Sequence, residues 1–175
     1  MTPLEVAVRG LLDRLQRLGR EQALRLVRPP LPSGAVRSAF DGAGLLPTAP
    51  VLDWYSAWDG QSAEGVLGEM DVLPGFYALS VHDALAHRQA QQWPDAWLPL
   101  LADGGGDFYV VDTGAAAAPV LRCRFDSDEP EAVAASLVGF METALRAFDD
   151  GVVFVVDAYL EQDEERWRAL LGVSG

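Results

Sequence analysis

The sequence predicts an α+β domain with a mainly antiparallel sheet flanked by helices, and three observations carry that expectation. Short apolar segments with strand-like patterning follow one another closely between residues 76 and 125. An amphipathic helical stripe precedes them, and helical patterns follow them. Sequence-adjacent strands grouped apart from helices indicate α+β, with the sheet covered on one face, rather than an alternating parallel architecture. At 175 residues and 50% hydrophobic the chain suits one domain, which at this size buries about 70% of the surface its unfolded form exposes. It opens with an N-terminal helical segment (1–30) and ends in a C-terminal extension with helices (149–175).

The N-terminal helix is read from Leu4, Val8, Leu11, Leu15 and Leu18, whose steps of four and three draw one apolar stripe. Gly19 interrupts the stripe, which resumes through Leu24, Leu26 and Val27 until Pro29-Pro30 ends it. Residues 29–50 are dense in proline and glycine, so the expectation there is a loop with one helical turn near Val36. Val51, Trp54, Tyr55 and Trp58 share a helical face, giving a short buried helix over 50–58 with Gly60 as its left-handed stop. Phe76 to Leu79 reads as a brief strand, and Ser80 with Asp83 starts a helix over 81–91.

The run from Trp97 to Asp112 holds Asp103-Gly104-Gly105-Gly106-Asp107 between two apolar segments, which fits two antiparallel strands joined by a turn. Pro99 places the first of them at a sheet edge or delays its start. Val120 to Phe125 alternates apolar and charged residues, as a strand with one wet face does, and 114–119 is the connecting turn. Acids and Pro130 over Asp128 to Glu131 predict the start of a helix whose core face is Val133, Leu137, Phe140, Met141, Leu145 and Phe148, ended by Asp149-Asp150-Gly151. Val152 to Val156 fits either a last strand or a buried helical turn, and Asp163 to Leu171 a final helix anchored by Trp167.

Charge and composition exclude several classes. The net charge is −13, and every basic residue is arginine. Residues 1–28 carry six arginines and three acids, a net +3, whereas the remaining body carries seven arginines and twenty-three acids, a net −16. Such a body repels phosphate backbones and attracts basic proteins, so direct nucleic-acid binding is not expected. No apolar run approaches the roughly 20 residues that span a bilayer, and the N-terminus lacks the layout of an export signal; a cytoplasmic protein without membrane contact is expected.

Candidate chemistry is sparse. The glycine run could cradle a phosphate or, with its aspartates, a cation. It lacks the lysine of a P-loop and the terminal glutamate of an EF-hand, so the competing reading is a turn in which Asp103 bonds its own backbone. Cys123 is the lone cysteine, and His82 and His87 stand five apart, on different faces of a helix. The acid pairs Glu69 with Asp71 and Asp149 with Asp150 flank predicted turns and read as turn and cap residues. No catalytic residue, metal ligand or cofactor is assigned, and no enzyme is expected. Trp54, Tyr55, Trp58, Trp93 and Trp97 form either core or an aromatic cleft for a ligand or partner.

An ordered set of these pieces resembles the SUKH superfamily: Leu46-Pro47, Trp54-Tyr55, Trp58-Asp59-Gly60, Gly75 to Ser80, Trp97 to Asp107, and Ala134 to Leu137 with Phe140. The resemblance covers about residues 31–148. It implies a curved, mostly antiparallel sheet with flanking helices and no known catalysis. Many bacterial members look like immunity proteins that bind and neutralise a toxin domain, while eukaryotic relatives act in cell-wall regulation. The positions carrying the motif are Trp54, Tyr55, Trp58, Asp59, Gly60, Asp103, Gly104, Gly105, Gly106 and Asp107, which become the candidate binding residues, with a structural role as the competing reading. The implied partner is a protein, a basic toxin domain whose identity the resemblance does not give. The alternative is a regulatory or scaffolding module holding a cellular partner or small ligand in an aromatic cleft.

Overall fold

The computed structural model describes residues 1–173; Ser174 and Gly175, the end of the expected C-terminal extension, lie outside the described residues. Helix α1 (Pro3–Arg17) starts where a reciprocal capping box forms, Thr2 accepting the Glu5 N–H and Glu5 accepting the Thr2 N–H. Its stripe of Leu4, Val8, Leu11 and Leu15 is buried, and the helix stops before Leu18, which is half-exposed at the C-cap. Gly19, at φ +70°, turns the chain into the short α2 (Glu21–Arg25).

The proline-rich stretch is more ordered than its composition suggests. Helix α3 (Ser33–Gly42) runs for ten residues and buries Val36 and Phe40, in place of the single turn expected. Pro29, Pro30 and Pro32 precede it, and Gly44, Pro47 and Pro50 follow it, so they bound the helix rather than break it. Helix α4 (Ala49–Ala57) buries Val51, Trp54 and Tyr55, and α1 packs against it. Trp58, its C-cap, is already extended at φ −163°.

The five-stranded sheet has the order β1 (Tyr77–Ala78), β2 (Trp97–Ala102), β3 (Phe108–Asp112), β4 (Val120–Cys123), β5 (Glu131–Ala134), all neighbours antiparallel. Between β1 and β2 lies α5 (Val81–Ala90), capped by Ser80, whose Oγ accepts the Asp83 N–H at 3.1 Å. β2 is an inner strand and begins at Trp97, ahead of Pro99, which corrects both expectations for it, an edge position and a late start. β1 reaches only Leu101 and Ala102, however, and the β2–β3 register shifts between Pro99 and Leu101, so Pro99 sits beside a bulge in the part β1 leaves uncovered.

Two further expectations are corrected downstream. β4 stops at Cys123, leaving Phe125 83% exposed rather than on a strand. Glu131 to Ala134 is not helical but pairs with β4, and α6 (Leu137–Asp149) begins only at Ser136, whose Oγ accepts the Gly139 N–H at 3.0 Å. The acids and Pro130 mimicked a helix start, but strand pairing with Leu121 and Arg122 overrides that local preference. Gly151, at φ +65°, follows α6. The ambiguous valine run is strand β6 (Val153–Val156), which makes a separate hairpin with β7 (Tyr159–Gln162) ahead of α7 (Glu164–Leu171).

Strand side chains alternate between faces, and both faces of the sheet carry helical cover, not one. Tyr109 meets Phe140 of α6 at 5.0 Å between ring centroids, while its neighbour Phe108 meets His87 of α5 and Trp93 on the opposite side at 5.1 and 5.3 Å. No helix among the described residues is long and apolar enough to cross a membrane.

Candidate functional site

The residues that carry the family-like pattern fall into two groups. Trp54 and Trp58 stack edge to face at 5.2 Å, and with Tyr55 they are at most 1% exposed, so none presents a ring to a ligand. The indole nitrogens of both tryptophans and the Tyr55 hydroxyl are buried without a hydrogen-bond partner among the described residues. Burial, together with the nearby Asp59 and Asp83 carboxylates, pushes the Tyr55 hydroxyl well above its usual pKa. The aromatic triad is core.

Asp59 and Gly60 join segments. Asp59 is buried; its Oδ1 accepts the Val81 N–H at the start of α5 and its Oδ2 accepts Arg28 Nε, each at 2.8 Å. A carboxylate there satisfies an otherwise unpaired first-turn amide and suits the positive end of the helix. Gly60 has φ +59°, but it follows the helix by three residues; a Cβ there would stand 2.3 Å from the Leu79 carbonyl oxygen. Close approach, rather than helix termination alone, requires glycine.

The glycine loop closes on itself. Asp103 Oδ1 accepts the N–H groups of Gly105, Gly106 and Asp107 at 2.7, 2.9 and 2.9 Å, and the Asp103 N–H donates to the Asp107 carbonyl at 3.1 Å. The amides that an anion would need are thus already occupied by a carboxylate of the same loop. Asp107 Oδ1 accepts the Phe125 N–H at 3.0 Å, and its Oδ2 pairs with Arg122 at 3.5 Å. The two groups are linked through β1: Tyr77 pairs with Ala102 beside the loop, and the Ala78 N–H donates to Gln61, next to Gly60.

Sequence reasoning missed the buried polar side chains of Gln61 and Arg20. Gln61 donates to the carbonyls of Ala23 and Met70 at 2.9 and 2.8 Å while accepting the Ala78 N–H at 2.9 Å. The Arg20 guanidinium donates to the carbonyls of Gly68, Glu69, Asp71 and Ala158, fastening the β6–β7 turn to the 68–71 loop. Desolvation lowers the Arg20 pKa and raises that of the Asp71 carboxyl, with the Coulombic attraction between them opposing both shifts. Asp149 is paired with Arg14, which holds it below the usual carboxylate range.

The remaining candidates for chemistry are separated. His82 is exposed, His87 stacks on Phe108, and the buried Cys123 thiol is pushed up to about 11 by desolvation. Among the described residues no group of three or more His, Cys, Asp or Glu is placed to hold a metal ion. The concave features are shallow grooves. One of about 470 Å3 lies between Trp93, Trp97 and Phe125, with Arg124 and Asp128 at its margin. Another, of about 450 Å3, holds Arg122 over the rings of Phe76 and Tyr109, 5.6 and 6.0 Å from their centroids. Trp97 thus lines a groove, as an aromatic cleft requires, but Trp54 lies in the core and takes no part.

Charge is distributed unevenly over the pairs. Arg88, Arg122, Arg124, Arg146 and Arg168 of the body are each held by a carboxylate, at Asp95, Asp107, Glu131, Asp150 and Glu131 respectively. Most of the body's twenty-three acids have no such partner among the described residues, and most of those are exposed, so the greater part of the body's cations are internally engaged while its surplus of anions is largely at the surface. No protein-family model matches the chain, and no curated protein matches it.

Proposed function

We propose that this chain is a non-enzymatic binding domain of the SUKH type that neutralises a basic bacterial toxin domain in the cytoplasm. One observation carries the reading: a body of net −16 whose arginines are mostly engaged by its own carboxylates, leaving an anionic surface for a cationic protein. Opposite charge speeds encounter and makes it salt-sensitive. The test is affinity purification of the chain from its native cell at high salt, then titration with the toxin domain recovered, against an unrelated basic protein of equal charge. Tighter, inhibitory binding of the toxin supports the reading, and equal binding of both overturns it.

A second reading, a regulatory or scaffolding module holding a small ligand or peptide, is favoured by the groove between Trp93 and Trp97, whose volume of about 470 Å3 falls within the ordinary range for ligand sites. It requires a metabolite that raises the melting temperature of the native chain but not of Trp97→Ala.

A further inference from the structure

Large apolar side chains from three distant segments lie exposed over glycines. A Cβ added at Gly104 would stand 2.7 Å from Leu67, one at Gly106 2.9 Å from Phe125, and one at Gly68 2.7 Å from Tyr159. Leu67 is 54% exposed, Phe125 83% and Tyr159 43%. Each side chain therefore rests on a backbone surface that only glycine leaves open, yet shows much of its own area to water. The ridge extends along the hairpin: Tyr159 is paired with Val156, and the alternation of β6 puts Phe154 on the same outward face, with both exposed. Scattered exposed apolar residues need no explanation, but contiguous ones mark an interaction surface.

The charge around this ridge selects its occupant. Glu64, Asp126, Asp128, Asp157 and Glu161 stand within three residues of the three apolar side chains in sequence, all are exposed, and none is in an ion pair among the described residues. The arginines nearest in sequence to Phe125 are committed, Arg122 to Asp107 and Arg124 to Glu131. A second copy docked face to face would set carboxylate against carboxylate, so self-association through this ridge is opposed. An apolar surface ringed by lysine or arginine meets both requirements.

We infer that the ridge formed by Tyr159, Leu67 and Phe125 across the glycine loop is the docking face for a basic protein surface with apolar anchors. The inference rests on the proposed binding of a basic partner and adds where that partner sits. The glycine loop then contributes a floor rather than a ligand site. Leu67, Phe125 and Tyr159 are the anchors, and the unpaired acids form the rim.

The test uses two synthetic helical peptides of equal charge, one with leucines on one face and lysines on the other, the second with serine in place of leucine. Binding is measured at physiological salt by fluorescence anisotropy. The leucine peptide is expected to bind, with Leu67→Ser, Phe125→Ser and Tyr159→Ser each weakening it about tenfold or more. Val6→Ser, which changes an exposed valine in the first turn of α1, leaves binding unchanged. The substituted side chains are exposed, and an unaltered thermal midpoint confirms folding of each variant. Equal binding of the two peptides overturns the docking face while leaving the charge-based function standing; binding of neither overturns both. A dimer in solution that the three serine variants dissociate assigns the ridge to a second copy and overturns the proposal.

Discussion

Asp59 accepts the Val81 N–H through one carboxylate oxygen and Arg28 Nε through the other, both at 2.8 Å. The two partners differ in what they lose when the carboxylate goes. Arg28 is half-exposed and returns to water, whereas the Val81 amide is buried and stays unpaired. Asp59→Ala is therefore expected to destabilise by about 2–3 kcal/mol, while Arg28→Ala, which takes one donor from the buried carboxylate but leaves it the Val81 amide, costs less, about 1–2 kcal/mol. Urea unfolding with an unchanged denaturant dependence checks both; equal losses would show that the ion pair, not the helix amide, is the important contact.

Tyr55 presents the opposite case. Its hydroxyl is buried and no group among the described residues hydrogen-bonds to it. Tyr55→Phe removes the hydroxyl at almost constant volume and is expected to leave stability unchanged or raise it by about 1–2 kcal/mol. Trp54 and Trp58 also hold unpaired indole nitrogens, but no isosteric replacement exists for them, and truncation to alanine costs about 3–5 kcal/mol through cavity formation. A measured loss of more than 1 kcal/mol in Tyr55→Phe, by the linear-extrapolation method, refutes the expectation.

Cys123 is buried on β4, and its thiol is pushed up to about 11 from an ordinary 9.0 by desolvation. At pH 8 that shift lowers the thiolate fraction about a hundredfold, so an aromatic disulfide reagent reacts far more slowly with the native chain than with the unfolded one. The sign for stability follows. The folded state favours the neutral thiol, so this contribution is fully present below pH 9.0 and is lost as pH rises towards about 11. Cys123→Ser removes the thiol titration, and its stability profile is flatter over that alkaline window. Native thiol modification at the unfolded rate is the result that counts against this.

What the sequence made legible was local. The stripe of α1, the Ser80 start of α5 and the two strands around the glycine run each have their signals within a few residues, and each appears where those signals place it. The errors arose where a partner far along the chain decides. Val133 belongs to a strand because β4 is beside it, although its own neighbours read as a helix entrance. The β6–β7 turn uses Asp157 and Ala158 at φ +48° and +72°, and the absence of an Asn-Gly pair hid the hairpin.

The site divides along the same line. The aromatic triad and the self-bonded Asp103 turn were both weighed from sequence, and the competing structural reading describes what their side chains touch. Arg20 and Gln61 were invisible, because their partners are backbone carbonyls and amides up to 138 residues away that have no sequence signature. The ridge over the glycines was equally hidden, since Leu67, Phe125 and Tyr159 each reach their glycine only in three dimensions.

The Asp103 carboxylate gives the last prediction. It satisfies three successive loop amides at 2.7 to 2.9 Å from a half-exposed position. Asp103→Ala removes that acceptor, but water can reach part of the loop, so the expected loss is about 1–2 kcal/mol rather than the full cost of buried unpaired donors. The local effect should be larger than the global one: amide exchange at Gly105, Gly106 and Asp107 quickens in the variant while exchange in β2 and β3 changes only by the global amount. In the native chain, inorganic phosphate should leave those three amide resonances unmoved, because the carboxylate already holds them. Saturable shifts at Gly105 and Gly106 on adding phosphate would instead make the loop an anion site and displace the turn reading.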